Sequence, residues 1–206
     1  MFHIKKQPFN SVVISTDSQE ELSESFMRFQ EHYESPVWAD KIFTIGQFKQ
    51  WYSKTYGADT YRHDWIGFNF PSYVLKPFRD GLFDPLTEKE KEILNLLKYR
   101  IDEFYIIGCN TDEVLNHELC HALYYFNNDY REGVNKVLKE NAQDIKEAFD
   151  HLLNLGCYHK KVLADEFQAY ILDNDYFKKN DIIISKRVIC KIKKLHKLYS
   201  KNTGEK

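Results

Sequence analysis

The residues best suited to chemistry are two histidines and a glutamate in the segment 116–123, which reads NHELCHAL. His117 and His121 are four residues apart, so a helix would place both imidazoles on one face, within reach of a single metal ion. Glu118 would then lie beside the metal rather than on it, where its carboxylate can accept a proton from a water molecule. Zinc suits this set, because it accepts imidazole and carboxylate ligands and leaves a fourth position for water.

The spacing of apolar residues predicts an amphipathic helix around this segment. Four residues at helical spacing are expected to form a buried stripe beside the histidines: Leu115, Leu119, Ala122 and Phe126. Asn110 followed three residues later by Glu113 is typical of a capping box, so we expect the helix to start there.

A second amphipathic helix is predicted at 162–172, and it carries two adjacent carboxylates, Asp165 and Glu166. Either one can supply a third metal ligand. Neighbouring residues on a helix point about 100° apart, so only one of the two can face the same metal ion. The pattern alone leaves the choice open.

A His-Glu-x-x-His helix followed by a helix with Glu-x-x-Ala resembles the gluzincin-type zinc metallopeptidases, including their small single-domain forms. The resemblance covers about 103–173 and is concentrated in the two helices. It implies that Glu166, three residues before the alanine, is the third ligand. Several such families carry an acidic or amide residue four positions after this ligand, where it orients a histidine. This chain has Tyr170 there, so we expect that support from Asp165, Asn116 or elsewhere.

Two further residues are candidates for stabilising the oxyanion of a tetrahedral intermediate. His159 lies seven residues before Glu166, on roughly the same helical face, and is also an alternative ligand; a surface histidine near a helix start is the other interpretation. Tyr170, one turn after Glu166, competes for the same role. The metzincin branch fits less well, because its longer motif requires Gly and His where this chain has Tyr124 and Asn127.

The whole chain predicts an α+β fold with a small N-terminal β-sheet and helices dominating after residue 87. Strands are expected at 9–16 and 104–108, and an extended segment at 65–71. Helices are expected at 17–34 (on the surface), 44–56, 88–100, 130–141 and 143–155. The first has Leu22, Phe26 and Phe29 at helical spacing. Capping boxes at Thr44 and Thr87 are expected to begin the helices at 44–56 and 88–100, and the latter to bury Ile93, Leu96 and Leu97. The resemblance implies a zincin-like fold over 1–206, in which the strand before the motif helix is the sheet edge that holds an extended peptide.

The aromatic-rich segment 61–81 has two interpretations. Its rings either line a substrate cleft or pack on the core as part of an irregular loop. The four cysteines lack the paired spacing of metal or redox motifs, so we expect reduced, buried thiols: Cys109, Cys120, Cys157 and Cys190. Cys120 is expected to be a small packed side chain rather than a reactive thiol.

Composition restricts the function classes. The chain has 206 residues, of which 43% are hydrophobic, so it can bury a core as one domain. A net charge of −2 gives no global electrostatic reason to expect nucleic-acid binding. No apolar run reaches the ~18 residues of a membrane span, and none suits a signal peptide. We therefore predict a cytoplasmic protein, with export by a signal-less route as the alternative.

The C-terminal stretch 181–206 contains eight Lys or Arg residues against two acids. Its apolar residues fall at helical spacing: Val188, Ile192, Leu195 and Tyr199. This pattern predicts a basic amphipathic helix that packs on the domain and ends in a frayed tail. The alternative is a helix that touches an anionic partner or a membrane surface.

These features together predict a zinc-dependent metallopeptidase acting on a protein or peptide. The resemblance implies that His117, His121 and Glu166 hold Zn²⁺, and Glu118 is expected to act as general base and to pass its proton to the leaving amine. Hydrolysis of another amide would use the same groups. Two alternatives remain: a degenerate domain that binds zinc without hydrolysis, and a helical interaction protein whose basic C-terminal helix binds an anionic partner.

Overall fold

The structure is a computed structural model that describes residues 1–173 and 175–201. It has the predicted α+β architecture, with a small sheet of four strands in the N-terminal half and a mostly helical remainder. The chain groups into two compact units, Met1–Leu115 and Asn116–Lys206, which are described in turn. The single zincin-like domain expected over 1–206 stays a prediction.

The sheet of the first unit has the strand order β1-β2-β4-β3. Its strands are β1 (His3–Gln7), β2 (Ser11–Ser15), β3 (Phe68–Pro71) and β4 (Tyr105–Gly108). β2 and β4 are parallel, and the two outer pairings are antiparallel. The predicted strands match β2, β3 and β4. β1 was not predicted, because its side chains are almost all exposed and show no buried alternation.

β4 lies inside the sheet, bonded to β2 on one side and to β3 on the other. The resemblance implied that this strand is the sheet edge that holds an extended peptide, and that expectation was wrong. Both hydrogen-bonding edges of β4 are already occupied by neighbouring strands. The outer strands of this sheet are β1 and β3.

The first unit also contains five α-helices, and a 3₁₀ turn, Ser72–Leu75, leads into the fourth. The helices are α1 (Gln19–Glu34), α2 (Ile45–Tyr56), α3 (Tyr61–Asp64), α4 (Lys76–Arg79) and α5 (Glu88–Leu96). Capping boxes at Thr44 and Thr87 begin α2 and α5, as predicted. α2 ends before Gly57, which adopts a φ of 83° that favours glycine. α5 is shorter than predicted, and Leu96, expected to be buried, is exposed.

α1 is a buried helix, although its polar sequence predicted a helix on the surface. Its apolar residues are buried as expected: Leu22, Phe26 and Phe29. Arg28 and Glu31, however, are buried as well. Arg28 is paired with Glu90, and a charged group can leave water when its hydrogen bonds are met inside the protein.

The core of the first unit lies where α1 meets the sheet. Phe68 and Phe70 of β3 are fully buried there, so these two rings pack on the core. Gly108 of β4 makes the close approach possible, because a Cβ at this position would lie 2.9 Å from the ring of Phe26.

Six helices form most of the second unit: α6 (Asp112–Phe126), α7 (Asn128–Glu140), α8 (Lys146–Asn154), α9 (Leu163–Leu172), α10 (Tyr176–Lys179) and α11 (Lys186–Ser200). A short 3₁₀ turn, Lys160–Val162, leads into α9. α9 is the central element, since it contacts α7, α8, α10 and α11. α6 begins just before the boundary of this unit and carries the histidine motif inside it.

The basic helix predicted near the C-terminus is α11. Val188 and Ile192 are buried, as expected, and α11 packs against α7 and α9. Gly133 of α7 allows a close contact, because a Cβ there would lie 3.0 Å from Leu195. Residues 202–206 of the predicted tail lie outside the described residues.

Among the residues that the structure describes, no helix is long and apolar enough to cross a membrane.

Candidate metal centre

α6 carries the histidine motif, and its start differs from the predicted capping box. The Asn110 side chain accepts a hydrogen bond from the backbone N–H of Thr16 (2.9 Å) and so is used elsewhere. The Thr111 hydroxyl instead accepts the N–H of Val114, at 3.3 Å. The predicted Asn110–Glu113 box was therefore wrong, although the helix itself forms where the motif requires it.

The buried face of α6 also differs from the predicted stripe. Of the four apolar residues only Ala122 is fully buried, and the other three are half-buried. The buried positions are Glu118, Cys120, His121, Ala122 and Leu123. His121 is only 1% exposed, so the motif faces the interior instead of lying beside the core face. The motif can be buried because polar side chains of α9 contact it in the interior.

Three side chains converge to form what we call the triad: His117, His121 and Glu166. One possible ligand atom from each lies within 4.8 Å of the other two. Glu166 is 3% exposed, and His117 is half-buried. Over residues 1–173 and 175–201, no other group of three His, Cys, Asp or Glu residues meets the same criterion.

The two neighbouring carboxylates of α9 meet different atoms of His121. Asp165 Oδ1 lies 2.9 Å from Nδ1, whereas Glu166 Oε1 lies 3.8 Å from Nε2. Gln168 Nε2 donates a second hydrogen bond to Asp165, at 3.0 Å. Glu166 therefore faces Nε2 of His121 and belongs to the triad. Asp165 contacts the other ring nitrogen, Nδ1, on the opposite side of the imidazole. Such a carboxylate fixes the ring orientation of a metal-binding histidine.

Two ring nitrogens of the triad lack a hydrogen bond. His121 Nε2 and His117 Nδ1 are buried and have no partner among the described residues. The nearest carboxylate oxygen recorded for His117 Nδ1 belongs to Asp173, 3.8 Å away, which is too long for a hydrogen bond. Buried polar atoms are nearly always paired, so these exceptions require a reason. Two imidazoles and a carboxylate are the donor set that zinc prefers, and the triad fits that ion.

The charges of the triad explain which groups carry protons in the metal-free protein. Burial, assisted by His121, lowers the pKa of His117 to about 3, so this imidazole is neutral. Burial also acts to lower the pKa of His121, but Asp165 and Glu166 outweigh it, and the pKa is raised well above its ordinary value. Burial raises the pKa of Glu166 to about 8. The metal-free triad therefore holds protons that a cation would displace.

Glu118 lies next to the triad without belonging to it. Its side chain is buried, and its negative charge raises the pKa of both His121 and Glu166. The role of this carboxylate as a general base stays a prediction of the motif.

The two candidate oxyanion residues have different surroundings. His159 lies outside the triad and caps the 3₁₀ turn, where its Nδ1 accepts the backbone N–H of Lys161 at 3.1 Å. The ring of Tyr170 lies 5.0 Å from that of His117, so the structure brings Tyr170 to the triad. A role in oxyanion stabilisation stays a prediction for both.

Tyr158 is a residue of the site that sequence reasoning missed. Its hydroxyl lies 2.7 Å from the hydroxyl of Tyr170, and Tyr158 lowers the pKa of Glu166 against the effect of burial. The residue precedes the 3₁₀ turn, outside any helix, and so has no helical spacing to Glu166. No sequence pattern could have linked the two.

Cys120 behaves as the predicted small packed residue. It is buried, and its thiol contacts the carbonyl oxygen of Asn116 at 3.2 Å. Burial raises the pKa of this thiol, with Asp165 and Glu118 adding to the effect. The side chain therefore stays a neutral thiol, which is not nucleophilic.

Comparisons of the chain with protein-family models, with curated proteins and with solved structures found no match. The resemblance to gluzincin-type peptidases stays a prediction. Any inference about function depends on the geometry of the triad.

Proposed function

We propose that the protein is a zinc-dependent metallopeptidase in which His117, His121 and Glu166 hold the ion. The observation that carries the proposal is the convergence of two imidazoles and a carboxylate, each with one possible ligand atom within 4.8 Å of the other two, at a buried Nε2 of His121 that has no partner among the described residues. A purely structural cluster would leave this nitrogen unsatisfied at a cost of about 1–3 kcal/mol. A bound cation removes that cost.

The side chains around the triad have distinct tasks in peptide hydrolysis. Zinc, when bound, would supply a Lewis acid and lower the pKa of a water molecule towards neutrality. Glu118 would take a proton from the attacking water and deliver it to the leaving amine. Asp165 holds Nδ1 of His121 and so keeps Nε2 turned towards Glu166. The low pKa of His117 keeps its imidazole neutral, as a ligand must be.

A protein or peptide is the proposed substrate. The support is chemical, since a general base beside a Lewis-acid site is the machinery that amide hydrolysis requires, and the motif resemblance favours a peptide over another amide.

Metal content tests the proposal first. Elemental mass spectrometry of the purified protein should find near-stoichiometric zinc, and the His121→Ala variant should lose it. His159→Ala is the matched control, because that histidine lies outside the triad and should leave the zinc content unchanged. No zinc in the wild-type protein, even after zinc is supplied, would contradict the proposal and favour a helical interaction protein.

The Glu118→Gln variant separates hydrolysis from zinc binding alone. We expect it to keep the ion and to lower the rate of peptide cleavage by about 10²–10⁴-fold, since general base catalysis contributes on that order. An active preparation that this change leaves unaffected would refute the mechanism. A wild-type protein that binds zinc but cleaves no peptide would instead be the degenerate zinc-binding domain.

A further inference from the structure

A buried series of hydrogen bonds leads away from the triad through the carboxyl group of Asp165. One oxygen of this group, Oδ1, lies 2.9 Å from Nδ1 of His121 and also accepts a hydrogen bond from Nε2 of Gln168 at 3.0 Å. The amide oxygen of Gln168, Oε1, in turn accepts a hydrogen bond from the hydroxyl of Tyr130 at 2.7 Å. The series therefore runs from α7 through α9 to the imidazole of a triad residue on α6.

The amide of Gln168 is the central link of this series. An amide has an acceptor oxygen and a donor nitrogen, and both atoms are used here, one on Tyr130 and the other on Asp165. The amide has no titratable proton, so these two hydrogen bonds do not depend on the charge of the triad. Gln168 and Tyr130 are fully buried, so bulk water does not compete for their polar atoms.

Tyr130 is itself held in place at the far end of the series. It lies in the first turn of α7, where its backbone N–H donates to the side chain of Asn127, the cap of that helix, at 2.9 Å. Its ring lies beside those of His196 and Tyr199 on α11, with centroids 6.3 and 6.1 Å away. The hydroxyl of Tyr130 is therefore presented to Gln168 from a packed position between helices.

We infer that Gln168 and Tyr130 are positioning residues of the metal centre. Gln168 holds Oδ1 of Asp165 against Nδ1 of His121, and the hydroxyl of Tyr130 holds the amide in turn. Because the imidazole ring is rigid, a fixed Nδ1 also fixes the direction of Nε2, the nitrogen that lies 3.8 Å from Glu166. The inference rests on the proposed function, because it requires Nε2 of His121 to bind the ion.

The position of each residue in the series ranks its expected effect on metal affinity. Partners that orient a metal-binding histidine typically change metal affinity by about 10–100-fold when they are removed. Asp165 contacts the histidine directly, whereas Gln168 acts through Asp165, so its removal should fall at the lower end of that range. Tyr130 is one step further away, and its removal should have a smaller effect than that of Gln168.

The test measures zinc affinity by competition with a chromogenic chelator, together with the absorption spectrum of the cobalt-substituted protein. Gln168→Met keeps the side-chain length and removes both hydrogen bonds, so it should weaken zinc binding about tenfold and alter the cobalt spectrum. Tyr130→Phe should weaken zinc binding by a smaller factor. The double variant should match Gln168→Met alone, because Tyr130 acts only through Gln168.

Two control variants separate positioning from a general loss of packing. Tyr124→Phe also removes a tyrosine hydroxyl from the second unit, but this hydroxyl donates to Asn135 at 2.9 Å, outside the series. Ile192→Val shortens a buried side chain of α11 and should lower the free energy of unfolding. Both control variants should bind zinc as tightly as the wild type does.

Several results would overturn the inference while the proposed function stands. These are unchanged zinc affinity in Gln168→Met, a larger loss in Tyr130→Phe than in Gln168→Met, and strictly additive effects in the double variant. An equal loss of zinc affinity in Ile192→Val would also overturn it, because packing alone would then explain the change. A wild-type protein without zinc affinity would overturn the proposed function as well. If Gln168→Met does not fold, Tyr130→Phe decides: weaker zinc binding supports the inference, and unchanged binding refutes it.

Discussion

Each unit of the protein buries a cluster of charged side chains, and the two clusters differ in how completely their polar atoms are paired. In the first unit, Arg28 and Glu90 are each only 2% exposed and form a two-point ion pair. In the second unit, the triad is just as deeply buried around His121, yet two of its ring nitrogens have no partner among the described residues.

The pairing around Arg28 is extensive. Its Nε donates to Glu90 Oε1 at 2.6 Å, and its Nη1 donates to the carbonyl oxygens of Phe43 and Phe83 at 3.3 and 3.0 Å. Glu90 also accepts the backbone N–H of Thr87 at 2.7 Å, as part of the capping box of α5. The cluster needs nothing from outside the chain, which is what a structural ion pair requires.

The difference teaches how a structural cluster can be told from a binding site. Burial alone does not separate them, because both clusters are buried. The unmatched nitrogens distinguish these two clusters, since buried polar groups are nearly always paired and an exception requires a reason. Variants of the Arg28–Glu90 pair and of the triad test this contrast.

The largest effect is expected from Glu90→Ala. The change leaves the guanidinium of Arg28 buried without its countercharge, so the free energy of unfolding should fall by about 3–5 kcal/mol in urea denaturation. His121→Ala, measured on metal-free protein, should cost less, because Gln168 still pairs Asp165 and the buried Glu166 can take up a proton, whereas the guanidinium of Arg28 cannot lose one.

A double replacement controls for the loss of charge itself. Arg28→Met with Glu90→Leu removes both charges and should cost less than Glu90→Ala alone, because no unpaired charge remains. Equal losses of unfolding free energy in Glu90→Ala and in metal-free His121→Ala would contradict this comparison. The triad would then be a structural cluster like the ion pair.

Glu31 tests an intermediate case, a buried acid of the first unit beside neutral hydroxyl groups. Burial raises its pKa from 4.5 to about 7, and Ser35 and Tyr61 offset this only in part. Between these values the unfolded chain releases a proton that the folded chain keeps, so the free energy of unfolding falls as the pH rises. Glu31→Gln should remove that decline and gain up to roughly 3 kcal/mol at about pH 8, with little gain at about pH 4.

Urea titrations of the wild type and of Glu31→Gln across this range measure the effect. The free energy of unfolding of the wild type could instead stay constant between about pH 5 and pH 7 relative to that of the variant. The carboxyl of Glu31 would then be ionised in the folded protein, with its charge stabilised by more than the neutral hydroxyl groups beside it.

Proton release on zinc binding gives the smallest effect. The raised pKa values of Glu166 and His121 mean that the metal-free triad is protonated near neutral pH, so the ion must displace at least one proton. Each proton displaced should raise zinc affinity about tenfold per pH unit, or roughly 1.4 kcal/mol. Calorimetry at about pH 7 in buffers of different ionisation enthalpy counts the protons, and a count of zero would contradict the charges derived for the triad.

The parts of the structure that could be predicted depend on neighbours close in sequence. The spacing of His117 and His121, and the capping boxes of Thr44 and Thr87, each involve residues three or four apart, and these features were confirmed. Glu166 was grouped with the histidines by resemblance, and the structure places it there.

The parts that could not be predicted depend on distant partners. The burial of α1 follows from the pairing of Arg28 with Glu90, which is 62 residues away in the chain. The contact of Asp165 with Nδ1 of His121 depends on the rotation of α9 about its axis. The contact of Tyr158 with Tyr170 depends on the path of an irregular segment. Local patterns carry no information about such pairings. β1 was missed for another reason, because an exposed outer strand has no apolar alternation to detect.

β1 has a consequence for the behaviour of shortened chains. It pairs along the whole of β2, whose residues 11–14 are buried, and it presents Lys5 and Lys6 to solvent. Charged side chains on an outer strand discourage edge-to-edge association of copies. Trimming the chain beyond Gln7 would leave an apolar, unpaired strand at the border of the sheet. Such a fragment would be prone to aggregation, whereas an extension placed before Met1 would leave this protective strand intact.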